Sequence, residues 1–230
     1  QDVPAEAEAI PAVGEAIRAF RAALPDADNL GRTGDSRDLY VLVDRLTAAV
    51  REAYPASLCR AGCSRCCETS TAVFDVSRAE WDRIAQHLDT AWTAEEREAL
   101  AARFEREQRP QLSAYRLLGL VGFFEPLMDA YFARNPYRCP FLVDGRCSIY
   151  AARPLVCRMY GYFQIRRRWY TPASIYACRD QTRTLSAQTP LHLPATNTVA
   201  VRSRRLTGGR ARLLAFWIAG WLKRRCDKSA

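Results

Sequence analysis

Histidine is almost missing from this chain, and neither His87 nor His192 stands near a cysteine. That removes the mixed Cys/His zinc patterns and leaves no obvious imidazole base for catalysis. Long apolar runs are missing as well. The longest, Leu213 to Leu222, is 10 residues between arginine and lysine, against roughly 20 needed to span a bilayer. The first residues show no basic stretch leading into an apolar one, so no signal peptide is in view and the expected compartment is the cytoplasm. No internal repeat occurs. Nor is there the strand–helix alternation that builds a parallel sheet. Acidic side chains are scarce in one region: residues 161–230 carry 14 Lys/Arg and 2 Asp/Glu, whereas the remainder carries 20 and 23. A basic C-terminal third suits an acidic protein partner, nucleic acid or an anionic surface, or is simply solvated.

Cysteine is what the chain has in plenty. Nine are present, an odd number. A disulfide scaffold is even-numbered and shorter than about 100 residues. Clustered cysteines without a signal peptide read instead as thiolate ligands.

The rest reads as helix. Val13, Ile17, Phe20 and Leu24 recur at helical spacing, as do Leu39, Leu42, Val43, Leu46 and Val50. Pro25 to Ser36 between them is a loop, and the second helix is expected to end near Tyr54, before Pro55. Ser77-Arg-Ala-Glu80 and Thr93-Ala-Glu-Glu96 are capping boxes, the second opening a helix that runs towards Pro110. Glu95, Glu96 and Glu98 are thus a helix-start charge run. A further helix is expected over Leu112 to Ala133, kinked at Pro126. Asp144-Gly145 between Phe141-Leu-Val143 and Cys147-Ser-Ile-Tyr150 predicts a tight hairpin. A short helical turn follows from Arg153 to Tyr160, with Pro154 in its first turn. Beyond Gln181 the chain is polar and basic up to a terminal helix near Arg210 to Arg225. Leu214, Trp217, Ile218 and Trp221 line one side of that helix, and Leu213 and Phe216 widen the face. A face that wide favours docking onto a core over lying on a membrane. The predicted fold is mainly α with a small β-hairpin, around an irregular cysteine-rich metal-binding core. Three segments follow: N-terminal helices over 1–54, a cysteine-cluster domain over 55–181, and a basic extension with an amphipathic helix over 182–230.

The cysteines fall into two groups. The first is Cys59-Arg-Ala-Gly-Cys63-Ser-Arg-Cys66-Cys67, with Gly62 relaxing the backbone before a ligand. Thiolates two residues apart can converge on one centre, while neighbours such as Cys66 and Cys67 project differently and suit two irons or two metals. The second group is Cys139-Pro140, Cys147, Cys157 and Cys178. The hairpin can hold Cys139 and Cys147 near one point, and Cys157 sits on the following turn. Cys178, on a predicted helix, reads either as a ligand or as a buried structural thiol. Cys226, within Lys-Arg-Arg-Cys-Asp, reads as a plain exposed cysteine.

Cys-x3-Cys-x2-Cys-Cys, followed by Cys139-Pro-Phe-Leu142, Cys147-Ser-Ile-Tyr150 and Arg153-Pro-Leu-Val-Cys157-Arg158, resembles the bacterial YkgJ-type cysteine-cluster family, also called CxxCxxCC, a zinc- or iron-chelating domain. The resemblance covers roughly residues 59–178. It implies a domain with about eight metal-binding cysteines, carried over to Cys63, Cys66, Cys67, Cys139, Cys147 and Cys157, and less directly to Cys59 and Cys178.

Thiolate-only ligation fits an iron–sulfur cluster or zinc. Cys139-Pro140 and the adjacent cysteines point towards a cluster, with 4Fe-4S favoured. Two other functions compete. Cys59-x3-Cys63-x2-Cys66 has the spacing of radical S-adenosylmethionine enzymes, but the strands of their barrel are missing. Flagellin lysine N-methylases carry a similar cysteine cluster, which keeps a cluster-dependent modifying enzyme open. The alternative is a nucleic-acid or partner-binding module with a structural metal site, supported by Arg166-Arg-Arg-Trp-Tyr170, Arg202-Ser-Arg-Arg205 and the terminal helix.

Overall fold

The computed structural model describes residues 10–60, 62–68, 74–120, 125–135, 137–166, 172–188, 191–208 and 211–229. In chain order the elements begin α1 (Pro11–Ala23), α2 (Leu39–Ala53), α3 (Arg65–Glu68), β1 (Asp75–Ser77), α4 (Arg78–Thr90) and α5 (Ala94–Glu107). They continue with α6 (Leu112–Leu120), α7 (Glu125–Arg134), β2 (Leu142–Val143), β3 (Arg146–Cys147) and α8 (Leu155–Met159). The last are β4 (Phe163–Ile165), β5 (Ser174–Tyr176), α9 (Arg179–Ser186), α10 (Thr196–Thr207), β6 (Ala211–Leu213) and α11 (Leu214–Ser229). The protein is mainly helical, with small antiparallel strand pairs. It divides into two compact units, residues 1–61 with 153–210 and residues 62–152 with 211–230.

In the first unit α1 packs on α2 through Val13, Ile17 and Phe20 against Leu39, Leu42, Val43, Leu46 and Val50, the residues whose spacing predicts these helices. Asp38 caps α2. Its carboxylate accepts from the backbone of Gly31 at 2.6 Å, Gly34 at 3.1 Å and Tyr40 at 2.9 Å, so the polar loop before the helix is held by one side chain. Arg158, buried on α8, pairs with Asp44 and lies 4.2 Å from the centre of the Tyr40 ring. Its Nε donates to the Arg153 carbonyl at 2.9 Å. One guanidinium thereby ties α8 to α2. The β4–β5 pair runs antiparallel, with Phe163 opposite Tyr176.

The second unit is built on α4, α5, α6 and α11. Trp81, Ile84, Leu88, Leu100, Phe104, Tyr115 and Ile218 are fully buried there, each contributing about 1.5–3 kcal/mol of apolar burial. Both capping boxes form. Ser77 Oγ accepts from the Glu80 backbone while the Glu80 carboxylate takes the Ser77 N–H, and Thr93 with Glu96 repeats the exchange. The terminal helix does dock on its own unit. Leu214, Ile218, Trp221 and Leu222 are buried, Trp217 stacks on Trp81 at 6.0 Å, and its Nε1 donates to the Val76 carbonyl at 2.8 Å.

Several elements differ from the sequence reading. Of the helix expected over Leu112 to Ala133, α6 and α7 are described, and residues 121–124 between them lie outside the described residues. The stretch beyond Gln181 holds α10, closed by Gly208 in the left-handed conformation at φ 65°. β1 pairs with β6, Asp75 opposite Leu213, and such three-residue strands carry too little pattern to reveal a distant partner. Part of the basic C-terminal third has internal partners. Arg202 Nε donates to the Ala27 carbonyl at 2.7 Å, and Arg225 pairs with Asp89 at 2.8 Å. Residues Arg167 to Tyr170 of the basic-aromatic run, and the side chain of Cys226, lie outside the described residues. Among the described residues no helix is long and apolar enough to cross a membrane.

Candidate metal centre

The first thiol group of the second unit starts from a single helical turn. The Ser64 carbonyl accepts from the backbone of Cys67 at 2.8 Å and of Glu68 at 3.0 Å, and the Ser64 hydroxyl donates to the Glu68 carboxylate at 2.7 Å. This winds α3 tightly enough to put the sulfurs of Cys66 and Cys67 3.9 Å apart. The chain carrying Cys139 is then hung on α3, because the Cys139 N–H donates to the Cys67 carbonyl at 2.7 Å. Arg103 of α5 and Gln108, the residue that follows the helix, hold the same segment. Gln108 Nε2 donates to the Arg138 carbonyl at 2.8 Å and Arg103 Nε to the Pro140 carbonyl at 3.3 Å.

The predicted hairpin follows, with Asp144 at φ 48° and Gly145 at φ 71°, the geometry its Asp-Gly turn requires. It pairs Cys147 with Leu142. Cys139 precedes the first strand by three residues, held there by Cys67 and α5.

Cys67 is the hub of this group. Its thiol is pushed well above the usual thiol range, first by its hydrogen bond with Cys139, then by burial and by the nearby Cys139 and Cys147. The contact with Cys66 works the other way. The sulfurs of Cys66 and Cys67 are neighbours, Cys139 is hydrogen-bonded to Cys67, and Cys147 and Cys63 lie half-buried in the same unit. They suit a soft cation that takes thiolate sulfur and displaces the protons. Among the described residues no three His, Cys, Asp or Glu side chains stand ready-arranged around a metal position.

The first unit carries Cys59, Cys157 and Cys178, all half-buried. Cys59 packs its sulfur on Gly161, and the Tyr162 hydroxyl donates to the Cys59 carbonyl. Cys157 sits on α8, its N–H donating to the Pro154 carbonyl at 3.0 Å. Cys178 is the residue capping α9, just outside the helix, and its carbonyl accepts from the Thr182 N–H at 2.9 Å. The Gly161 N–H donates to the Tyr176 carbonyl at 2.7 Å, which brings the end of β5, and so Cys178, to the segment that follows Cys157.

Residues 58–182 match the family model CxxCxxCC, described as "Putative zinc- or iron-chelating domain". The chain belongs to the CxxCxxCC family. No curated protein and no solved structure matches it.

The CxxCxxCC region brings with it residues that a reading by cysteine spacing passes over. Gly161 is one. It lies at φ 94°, and a Cβ there would meet the Cys59 sulfur at 2.2 Å. The local signal was a lone glycine between Tyr160 and Tyr162, four residues after Cys157. Gly161→Ala is expected to cost roughly 2–4 kcal/mol from the strained φ and the overpacking together. Thermal melting of metal-free protein measures this, and an unchanged melting temperature would refute the close packing. The two histidines stand on other segments. His87 lies in the last turn of α4, and the His192 N–H is held by the Tyr54 hydroxyl at 2.6 Å. Glu96 serves the cap of α5.

Proposed function

We propose that this chain is a zinc protein, with Cys66, Cys67, Cys139 and Cys147 holding one tetrahedral ion and Cys59, Cys157 and Cys178 serving a second. The observation that carries the reading is the 3.9 Å separation of the Cys66 and Cys67 sulfurs. With Zn–S bonds of about 2.3 Å, two sulfurs on one tetrahedral ion stand about 3.8 Å apart. Adjacent cysteines can therefore share an ion, provided a tight turn such as α3 supplies the backbone. Cys63 remains a further candidate thiolate in the second unit. Each ligand must lose its proton, so uptake releases protons and strengthens as pH rises.

A four-iron cluster is the second reading, favoured by Cys139-Pro140. In a cubane each iron takes its own cysteine, so Cys66 and Cys67 would have to move apart. Anaerobic purification followed by metal and acid-labile sulfide analysis separates the two. Zinc predicts colourless protein with two zinc ions per chain and no sulfide. Brown protein containing iron and sulfide would replace zinc by a cluster.

A further inference from the structure

We infer that Gln181 is a positioning residue for the Cys59 thiolate, an inference that rests on the metal reading above. Its side chain is completely buried, and its polar atoms all point to the surroundings of Cys59. Nε2 donates to Ser57 Oγ at 2.6 Å and to the Gly161 carbonyl at 3.0 Å. Oε1 accepts from the Leu58 N–H at 2.7 Å. Ser57 Oγ in turn accepts from the Cys59 N–H at 3.3 Å. The partners leave no freedom in how the amide faces. A backbone N–H can only donate and a carbonyl can only accept, so Oε1 belongs to Leu58 and Nε2 to Gly161.

The placement has a consequence for three thiols at once. Gln181 is the third residue of α9, directly after its capping residue Cys178. Gly161, whose carbonyl it binds, lies four residues after Cys157 and supports the Cys59 sulfur on its bare Cα. One amide thus joins the Cys59 loop to the segments that carry Cys157 and Cys178. A buried amide left unpaired is strongly unfavourable. An apolar side chain would fill the same space without holding residues 57 and 58. The burial is therefore stable only while the loop stays in register, which is how a residue that touches no metal orients one that does.

The test is a double-mutant cycle on the full chain, stripped of metal and titrated with cobalt(II) under anaerobic conditions. Affinity and the intensity of the sulfur-to-cobalt charge-transfer band are both read. Gln181→Met in the wild-type background should weaken cobalt binding at the Cys59 group about 10- to 100-fold, the range for supporting residues around a metal ligand. The band should fall as it does in Cys59→Ser. Adding Gln181→Met to Cys59→Ser should then change little, because the thiolate it orients is already gone. The same fold-loss in both backgrounds, or none in either, overturns the inference, since a merely structural strut acts regardless of Cys59. Should Gln181→Met not fold, Gln181→Asn, an amide one methylene short, enters the same cycle with the same outcomes. A wild-type chain that takes up no cobalt overturns the metal reading itself, whereas wild-type uptake with an unaffected Gln181 variant overturns only this inference.

Discussion

Replacing Cys67 by serine is expected to strip the metal from the second unit, lowering apparent affinity by more than about 100-fold. A four-thiolate structural zinc site contributes about 10–16 kcal/mol, or about 3 kcal/mol for each thiolate, and every 1.4 kcal/mol is tenfold. Cys67 should sit at or above that average. Its sulfur is 3.9 Å from Cys66, and its thiol bonds Cys139. Serine keeps the backbone carbonyl that accepts from Cys139 at 2.7 Å, so the turn should survive while the site does not. Metal analysis after gel filtration, with chelator competition, gives the number. Full retention by Cys67→Ser would remove this residue from the site. Cys226→Ser in parallel should change nothing, and a loss there would mean that the eight-cysteine set is wrong.

Removing the metal from the wild type should loosen one part of the second unit and spare another. The helices α4, α5 and α11 bury Trp81, Leu88, Phe104 and Ile218 in one apolar cluster, so their amides should stay protected. Residues 62–68 have little apolar burial of their own, and α3 is a single turn. Hydrogen exchange at the Cys139 amide should accelerate by about three orders of magnitude, matching the roughly 4 kcal/mol that a ligand at a thousand times its dissociation constant supplies. Equal protection with and without metal would show that the turn forms unaided. Collapse of α4 and α11 together with it would show that the helical core also depends on the ion.

Some of this was readable in the chain because it is local. The capping boxes at Ser77 and Thr93 and the Asp144-Gly145 turn formed as expected, since each depends on residues within three or four positions. The apolar face of the terminal helix foretold its docking. Helix α10 escaped notice because its polar, arginine-rich sequence buries only Thr196 and Val199, which leaves almost no periodic signal. The β1–β6 and β4–β5 pairs were invisible, as three residues do not specify a partner.

The candidate site divides along the same line. Membership of the CxxCxxCC family and the expectation of metal binding follow from residue type and spacing alone, because soft metals select sulfur whatever the fold. Which thiols become neighbours does not. Cys67 meets Cys139 through a backbone hydrogen bond between distant segments, with Gln108 and Arg103 holding Arg138 and Pro140. Cys59 packs on Gly161, whose carbonyl a buried amide holds, and no cysteine pattern contains either residue. Spacing sets the local geometry of a turn. Only packing and long-range hydrogen bonds bring one turn to another, and that tertiary decision hangs the Cys139 segment on the turn that carries Cys66 and Cys67.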